Sequence, residues 1–340
     1  MKKILLSLSV VAAVAVVVVG ATTAFFSDTE TSTGNTFTAG SLDLKVDSTA
    51  HYNGMICRLA VLGDDPTWSG YTWQPESGVN PGPDHYPQPG DDCEGTWTEK
   101  DLGVETDKFF NLTDVKPGDE GENTISLHVY DNDAWGRFVI SSVEDLDNTC
   151  TEPETETGIL DPECSALPPV LGAGELAESI SFWAWLDQGS IPGFQCVDSD
   201  GRPVTECNDP TEGDNIQQCD LQGPTGNGPV CDEPTLITPG DVDAHGETHN
   251  IWEGLAAVYD AYCAGPNPPN PIGNPTGANE YGTCQGIAED GRLVGSTTYY
   301  FGLAWEIPED VGNEAQTDSL TADLSFEAVQ HRNNPTRLGF

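Results

Sequence analysis

Leu320-Thr321-Ala322-Asp323-Leu324-Ser325-Phe326-Glu327-Ala328 alternates apolar and polar residues along its whole length. A period of two sends every apolar side chain to one face of an extended chain, so this stretch reads as a half-buried strand. Phe301, Leu303, Trp305 and Ile307 repeat the pattern, as do Ile125, Leu127 and Val129, and Leu42, Leu44 and Val46. Gly136 to Val143 is a short apolar run suited to a more central strand, and Ile180, Phe182 and Ala184 continue the series. Parallel strands would need helical crossovers, which are mostly lacking between these segments, so the pattern predicts an all-β, antiparallel sandwich. One helix is expected around Asn250 to Cys263, where Ile251, Leu255, Val258 and Tyr262 recur at helical spacing and Gly265, Pro266 and Pro268 end the run. A second short helix fits Leu176 to Leu186, although a strand fits there equally well.

The chain opens with Lys2 and Lys3, an apolar stretch from Ile4 to Val19, and small or polar residues to Ala24. That order is an export signal with a cut after Ala24, and a retained single-pass anchor is the alternative. Residues 1–24 are therefore expected to be removed by a signal peptidase, leaving a secreted chain with no stable membrane insertion. Losing Lys2 and Lys3 takes the net charge from −44 to −46. So many like charges oppose compaction at low salt and are screened at high ionic strength, which points to a salty habitat. Such a surface repels DNA, RNA and anionic lipid, so no nucleic-acid partner is expected.

An even set of cysteines in an exported chain predicts disulfides: Cys57, Cys93, Cys150, Cys164, Cys196, Cys207, Cys219, Cys231, Cys263 and Cys284. Connectivity is open, although Cys57 with Cys93 and Cys263 with Cys284 are favoured because each pair is isolated within a single connection. Absence of any C-x-x-C spacing argues against a zinc ribbon or thioredoxin-like chemistry. All of the cysteines except Cys263 fall in three long polar stretches near 49–100, 149–239 and 265–295, read as insertions ordered by their disulfides. Residues 25–48 are read as an N-terminal segment with the first strand, and 49–340 as the rest of one elaborated sandwich. Two independent domains are the alternative. Asp114 to Asp119 and Thr238-Pro239-Gly240-Asp241 are Pro-Gly-Asp turn signals, each expected to lead into a strand.

Ala21-Thr22-Thr23-Ala24-Phe25-Phe26-Ser27-Asp28-Thr29-Glu30, followed by Asn35 to Leu44, resembles the processing and first-strand region of the TasA/camelysin family, secreted proteins with SipW-type signal peptides. The likeness resumes at Asn111 to Asp119, at the Asp131-Asn132-Asp133 strand end, in Ser181 to Asp187 and in Asn313 to Leu320. The resemblance implies a jelly-roll sandwich exported to the cell surface or biofilm matrix. It also implies filament formation, with the N-terminal segment donated to a neighbouring subunit in some members. An extended strand between Phe25 and Val46 would supply ladder bonds and apolar anchors to another subunit, with Phe25, Phe26, Phe37, Leu42, Leu44 and Val46 as assembly residues. The competing reading makes Leu42, Leu44 and Val46 the first strand of their own sandwich. The cysteines and long loops depart from the family and weaken transfer of its assembly state.

Camelysin-like relatives are described as metallopeptidases, so the resemblance also implies that chemistry. His245-Gly246-Glu247-Thr248-His249 has the histidine spacing of a zinc-peptidase helix, but its acid sits one position late. His245 and His249 are the candidate zinc ligands. Asp131 and Asp133 at a strand end, and Asp198 and Asp200 with Asp209 and Asp214 in a cysteine-bounded loop, are candidate calcium ligands. Asn111-Leu112-Thr113 is an N-glycosylation sequon. No catalytic residue and no firm cofactor emerge. His128 faces away from the Ile125, Leu127 and Val129 side of its strand, where solvent contact is its simplest role. The expected function is an extracellular structural subunit associating with itself or related surface subunits. A divalent-metal-dependent endopeptidase and a monomeric adhesion or ligand-binding module are the alternatives.

Overall fold

The computed structural model describes residues 27–32, 42–61, 69–103, 107–152, 154, 164, 174–189, 192–194, 211–220, 230–231, 233–241, 247–264, 284–332 and 334–340. In chain order the strands are β1 (Ser27–Ser32), β2 (Asp43–Tyr52), β3 (Met55–Val61), β4 (Ser69–Pro75), β5 (Trp97–Lys100), β6 (Glu120–Tyr130) and β7 (Ala134–Asp147). They continue with β8 (Ser181–Leu186), β9 (Cys219–Asp220), β10 (Val230–Cys231), β11 (Thr235–Asp241), β12 (Glu247–Asn250), β13 (Thr297–Glu306) and β14 (Asp318–Gln330). Helix α1 is Leu176–Ser179, and α2 is Ile251–Val258, prolonged by a π-turn at Tyr259–Cys263.

All pairings among the described strands are antiparallel, as the alternating pattern predicted. The larger sheet runs β11-β8-β13-β6-β2-β3-β4, with β5 also paired to β2, and the smaller runs β1-β14-β7-β12. The inward residues of β2, β6 and β13 interlock across the ladder, with Val46 opposite Leu127 and Phe301 opposite Ile125. Phe326 of β14 lies opposite Phe138 of β7, and its ring packs 5.2 Å from that of Phe301 on the facing sheet. One apolar core therefore fills the space between two sheets, and burial of these side chains is the main stabilising term.

The undecided segment resolves into both alternatives, with α1 followed directly by β8. The helix expected over Asn250 to Cys263 is α2 with its π-turn, and it buries Ile251, Leu255 and Val258. The stretch near 49–100, read as an insertion, supplies β3, β4 and β5 to the larger sheet. Asp114 to Asp119 does lead into β6. Thr238 to Asp241, expected to precede a strand, instead lies within β11, where bulges interrupt the register with β8. A proline has no N–H for the ladder and is accommodated at such an edge irregularity.

Among the described residues, disulfides join Cys57 to Cys93, Cys150 to Cys164, and Cys263 to Cys284, including both pairs favoured on sequence. Cys196 and Cys207 lie outside the described residues, whereas Cys219 and Cys231 are backbone partners in the β9–β10 ladder. The Cys57–Cys93 bond holds a loop against the outer edge of β4. There Trp73 N donates to Asp91 O at 2.9 Å, Gly90 N to Trp73 O at 2.9 Å and Cys93 N to Tyr71 O at 3.1 Å.

Packing leaves no room for a side chain where Gly302 of β13 sits opposite Trp185 of β8. A methyl group on Gly302 would lie 2.0 Å from the Trp185 ring. Gly302→Ala is therefore expected to destabilise the fold by about 1–3 kcal/mol, read from the urea midpoint. An unchanged midpoint would mean that the indole swings aside freely.

Candidate functional site

Strand β1 begins close behind the expected cleavage point and forms the outer edge of the smaller sheet. It pairs with β14 from Ser27 opposite Val329 to Ser32 opposite Leu324. Its sequence, SDTETS, contains no large apolar residue. This strand is therefore positioned by its backbone ladder, a form of attachment that any chain of suitable length can supply or vacate. Without β1, the acceptor edge of β14 would present unpaired N–H and C=O groups.

Leu42, Leu44 and Val46 are fully buried in their own subunit, and β2 pairs with β6 from Asp43 to Tyr52. Within this chain the three residues belong to β2 of the larger sheet, whereas β1 is an edge strand of the smaller one. Phe25, Phe26 and Phe37 lie outside the described residues.

The metal-ligand candidates within the described residues do not come together. Glu247–Asn250 is strand β12, with His249 opposite Phe138, so this part of the His-x-x-x-His segment is extended. His245 lies outside the described residues, as do Asp198, Asp200 and Asp209. Asp133 accepts from Arg292 Nε at 2.8 Å and from Gly295 N at 3.0 Å, which ties the β6–β7 turn to the segment before β13. Asp131 is exposed beside it. Asp214 accepts from Ile216 N and from Gln218 Nε2, each at 3.0 Å. Asn111 is exposed, and its Nδ2 donates to Glu94 Oε2 at 2.8 Å.

His128 occupies the outward face as expected, but it is embedded in a polar ladder. Its Nε2 lies 2.7 Å from Asp47 Oδ2, and its Nδ1 lies 3.0 Å from Thr298 Oγ1. Neighbouring strands supply all three residues, which suits cross-strand polar pairing on a flat sheet.

Two groups of acids that sequence reading missed are assembled by the sheets. At one end of the smaller sheet, Asp145 and Asp147 of β7, Asp318 of β14 and Glu154 converge. One oxygen each from Asp147, Glu154 and Asp318 lie within 4.8 Å of one another. Burial and the charges of Asp145, Asp147 and Glu154 push the Asp318 carboxyl up to about 6. Asp145 is shifted upward too, mainly by burial.

A family model described as camelysin metallo-endopeptidase matches residues 1–54. The first 54 residues are camelysin-like. This agrees with the resemblance carried by Ala21 to Leu44, and the camelysin-like stretch includes β1, its connection to β2 and all of β2. No curated protein and no solved structure matches the chain.

The second acid group lies beyond the camelysin-like stretch, at the end of the larger sheet. Asp187, just after β8, and Glu233, just before β11, are both wholly buried. Asp187 accepts from Gly213 N at 3.0 Å and Asn215 N at 2.8 Å. Glu233 accepts from Gly189 N at 2.6 Å and Gln218 N at 2.7 Å. The two carboxyl groups also hydrogen-bond each other, and burial raises both, with the Asp187 charge adding to the shift at Glu233. Glu122, facing the same loop, is pushed up to about 7, chiefly by burial and then by the charge of Glu76. These acids clamp residues 213–218 onto the sheet.

Proposed function

We propose that this protein is a secreted structural subunit that assembles in the extracellular matrix or at the cell surface by exchanging β1 between copies. The observation supporting this reading most directly is β1 itself, a short edge strand paired to β14 by its backbone and joined to β2 by a separate connection. Exchange replaces an intramolecular ladder with an identical intermolecular one, so its main cost is ordering the partner. The camelysin-like first 54 residues and the disulfides among the described residues support an exported chain, with the signal removed after Ala24. The strongly negative surface fits assembly in a salty medium, where screening lets subunits approach.

The test compares residues 25–340 with residues 33–340 at high salt, by light scattering and electron microscopy. The longer chain is expected to form filaments and the shorter to remain a folded monomer. Filaments from both would remove β1 as the connector, whereas monomers from both under assembly-promoting salt and concentration would overturn the assembly reading.

The family description keeps metal-dependent proteolysis as a second reading, with His249 as its residue within the described part of the chain. Zinc-dependent casein cleavage lost in His249→Ala would establish it. The extended conformation of β12 supports the structural role instead.

A further inference from the structure

We propose that Asp147, Glu154 and Asp318, with Asp145 beside them, form a binding site for a hard divalent cation of the calcium type. The inference stands apart from strand exchange and rests on how these carboxylates are placed. Asp147 and Asp318 are direct partners across the β7–β14 ladder. Like charges in that position repel, and a sheet normally avoids them. The register makes Asp145 the next residue on the same face of β7, so a third acid adds to the repulsion.

Glu154 supplies the observation that points to a ligand. It is 1% exposed, and its Oε2 accepts from Thr151 N. The nearest donor to its Oε1 is the Thr317 hydroxyl at 3.4 Å, but that group has one proton and directs it to Thr149 O. Among the described residues, Glu154 Oε1 is thus left with only this long contact, from a hydroxyl already committed elsewhere, on a side chain that is almost wholly buried. Asp145 Oδ1 and Asp318 Oδ1 are also buried without a donor. Their other oxygens are held in place, Asp145 Oδ2 by Ala177 N and Asp318 Oδ2 by Glu175 N, each at 2.7 Å. No described lysine, arginine or histidine forms an ion pair with Asp145, Glu154 or Asp318.

The chemistry of the donors selects the cation. Oxygens separated by up to 4.8 Å can share an ion to which each is bonded at calcium–oxygen distances of about 2.3–2.6 Å. All the donors are carboxylates, because the nearby Cys150 and Cys164 sulfurs are spent on their disulfide. Soft metals that prefer thiolate or imidazole are disfavoured. A bound cation would join β7 and β14 to the segment bearing Glu154, at the same end of the sheet as the Cys150–Cys164 bond.

The experiment uses residues 25–340, treated with chelator and kept at high NaCl to suppress loose binding to surface acids. Calorimetric titration with calcium is expected to show saturable uptake of about one equivalent. At a hundredfold excess over Kd, the midpoint of thermal unfolding should rise by roughly 5 °C. Asp318→Asn should lose both effects yet melt higher than the parent in chelator, because it relieves the repulsion with Asp147. Glu154→Gln should weaken uptake at least about tenfold, whereas Asp131→Asn, in an exposed turn, should leave it unchanged. The opposite effects of Asp318→Asn in chelator and in calcium separate loss of a ligand from a folding defect. Absence of saturable uptake by the parent, or uptake unchanged in both Asp318→Asn and Glu154→Gln, would overturn the proposal.

Discussion

Replacing Cys57 and Cys93 together by serine is expected to cost about 4 kcal/mol of folding stability, measured by urea unfolding at high salt. The bond closes a loop spanning 36 positions, and loop-closure entropy of that size accounts for the magnitude. Cys57 is wholly buried on β3, so serine also places a hydroxyl among apolar neighbours. The replacement has a structural consequence beyond the midpoint. Residues 90–93 cover the outer edge of β4, and loosening them exposes an unpaired ladder to other chains. The variant should therefore aggregate irregularly even without β1. A loss below about 1 kcal/mol would show that the backbone bonds from Trp73 and Cys93 hold the loop unaided.

Raising the pH is expected to weaken the fold through Asp187 and Glu233, and Glu233→Gln is expected to remove most of that weakening. Both folded carboxyl groups hold their protons more tightly than in the unfolded chain, because burial disfavours the charged form and two adjacent charges repel. The sign follows from linkage. Their stabilising contribution is complete below the ordinary carboxylate range near 4, and it is lost as pH rises through the elevated folded values. Stability should accordingly decline between about pH 5 and pH 9, with Glu122 contributing around neutrality. At the alkaline end, Glu233→Gln should exceed the parent by about 2 kcal/mol. Parallel pH profiles for parent and variant would show that the pair does not govern the decline. Amide exchange at Gly213, Asn215 and Gln218 would locate the effect, since these backbone groups are held by the two acids.

The parts of the fold legible in the sequence were those in which burial imposes a period. Leu42, Leu44 and Val46, the β6 face, and the alternating residues of β13 and β14 all face the core, and Ile251, Leu255 and Val258 mark α2. The strands missed within 49–100 carry a weaker signal. The alternation of Met55–Val61 is interrupted by Arg58, and Ser69–Pro75 lies among turn residues. Strand β1 has no apolar face to read, since SDTETS holds no large apolar residue. The carboxylate groups were hidden for a different reason. With 56 acids in the chain, proximity in sequence selects none of them. Asp147 meets Asp318 only through the register of β7 with β14, and Asp187 meets Glu233 where β8 and β11 approach each other. The aspartates that sequence marks as calcium candidates lie in turns, whereas the acids that converge come from strands distant in sequence.

The edge formed by β14 receives a strand, and β1 supplies one, so the two sides of an exchanged contact are chemically different. Repeating such a contact gives every copy the same orientation and leaves unlike ends on the polymer, one with a vacant cleft and the other with a loose tail. A subunit lacking residues 25–32 could occupy the tail-bearing end but could not offer a tail of its own. Added in small amounts, it would act as a one-sided chain stopper, and filament length would report its ratio to intact subunits.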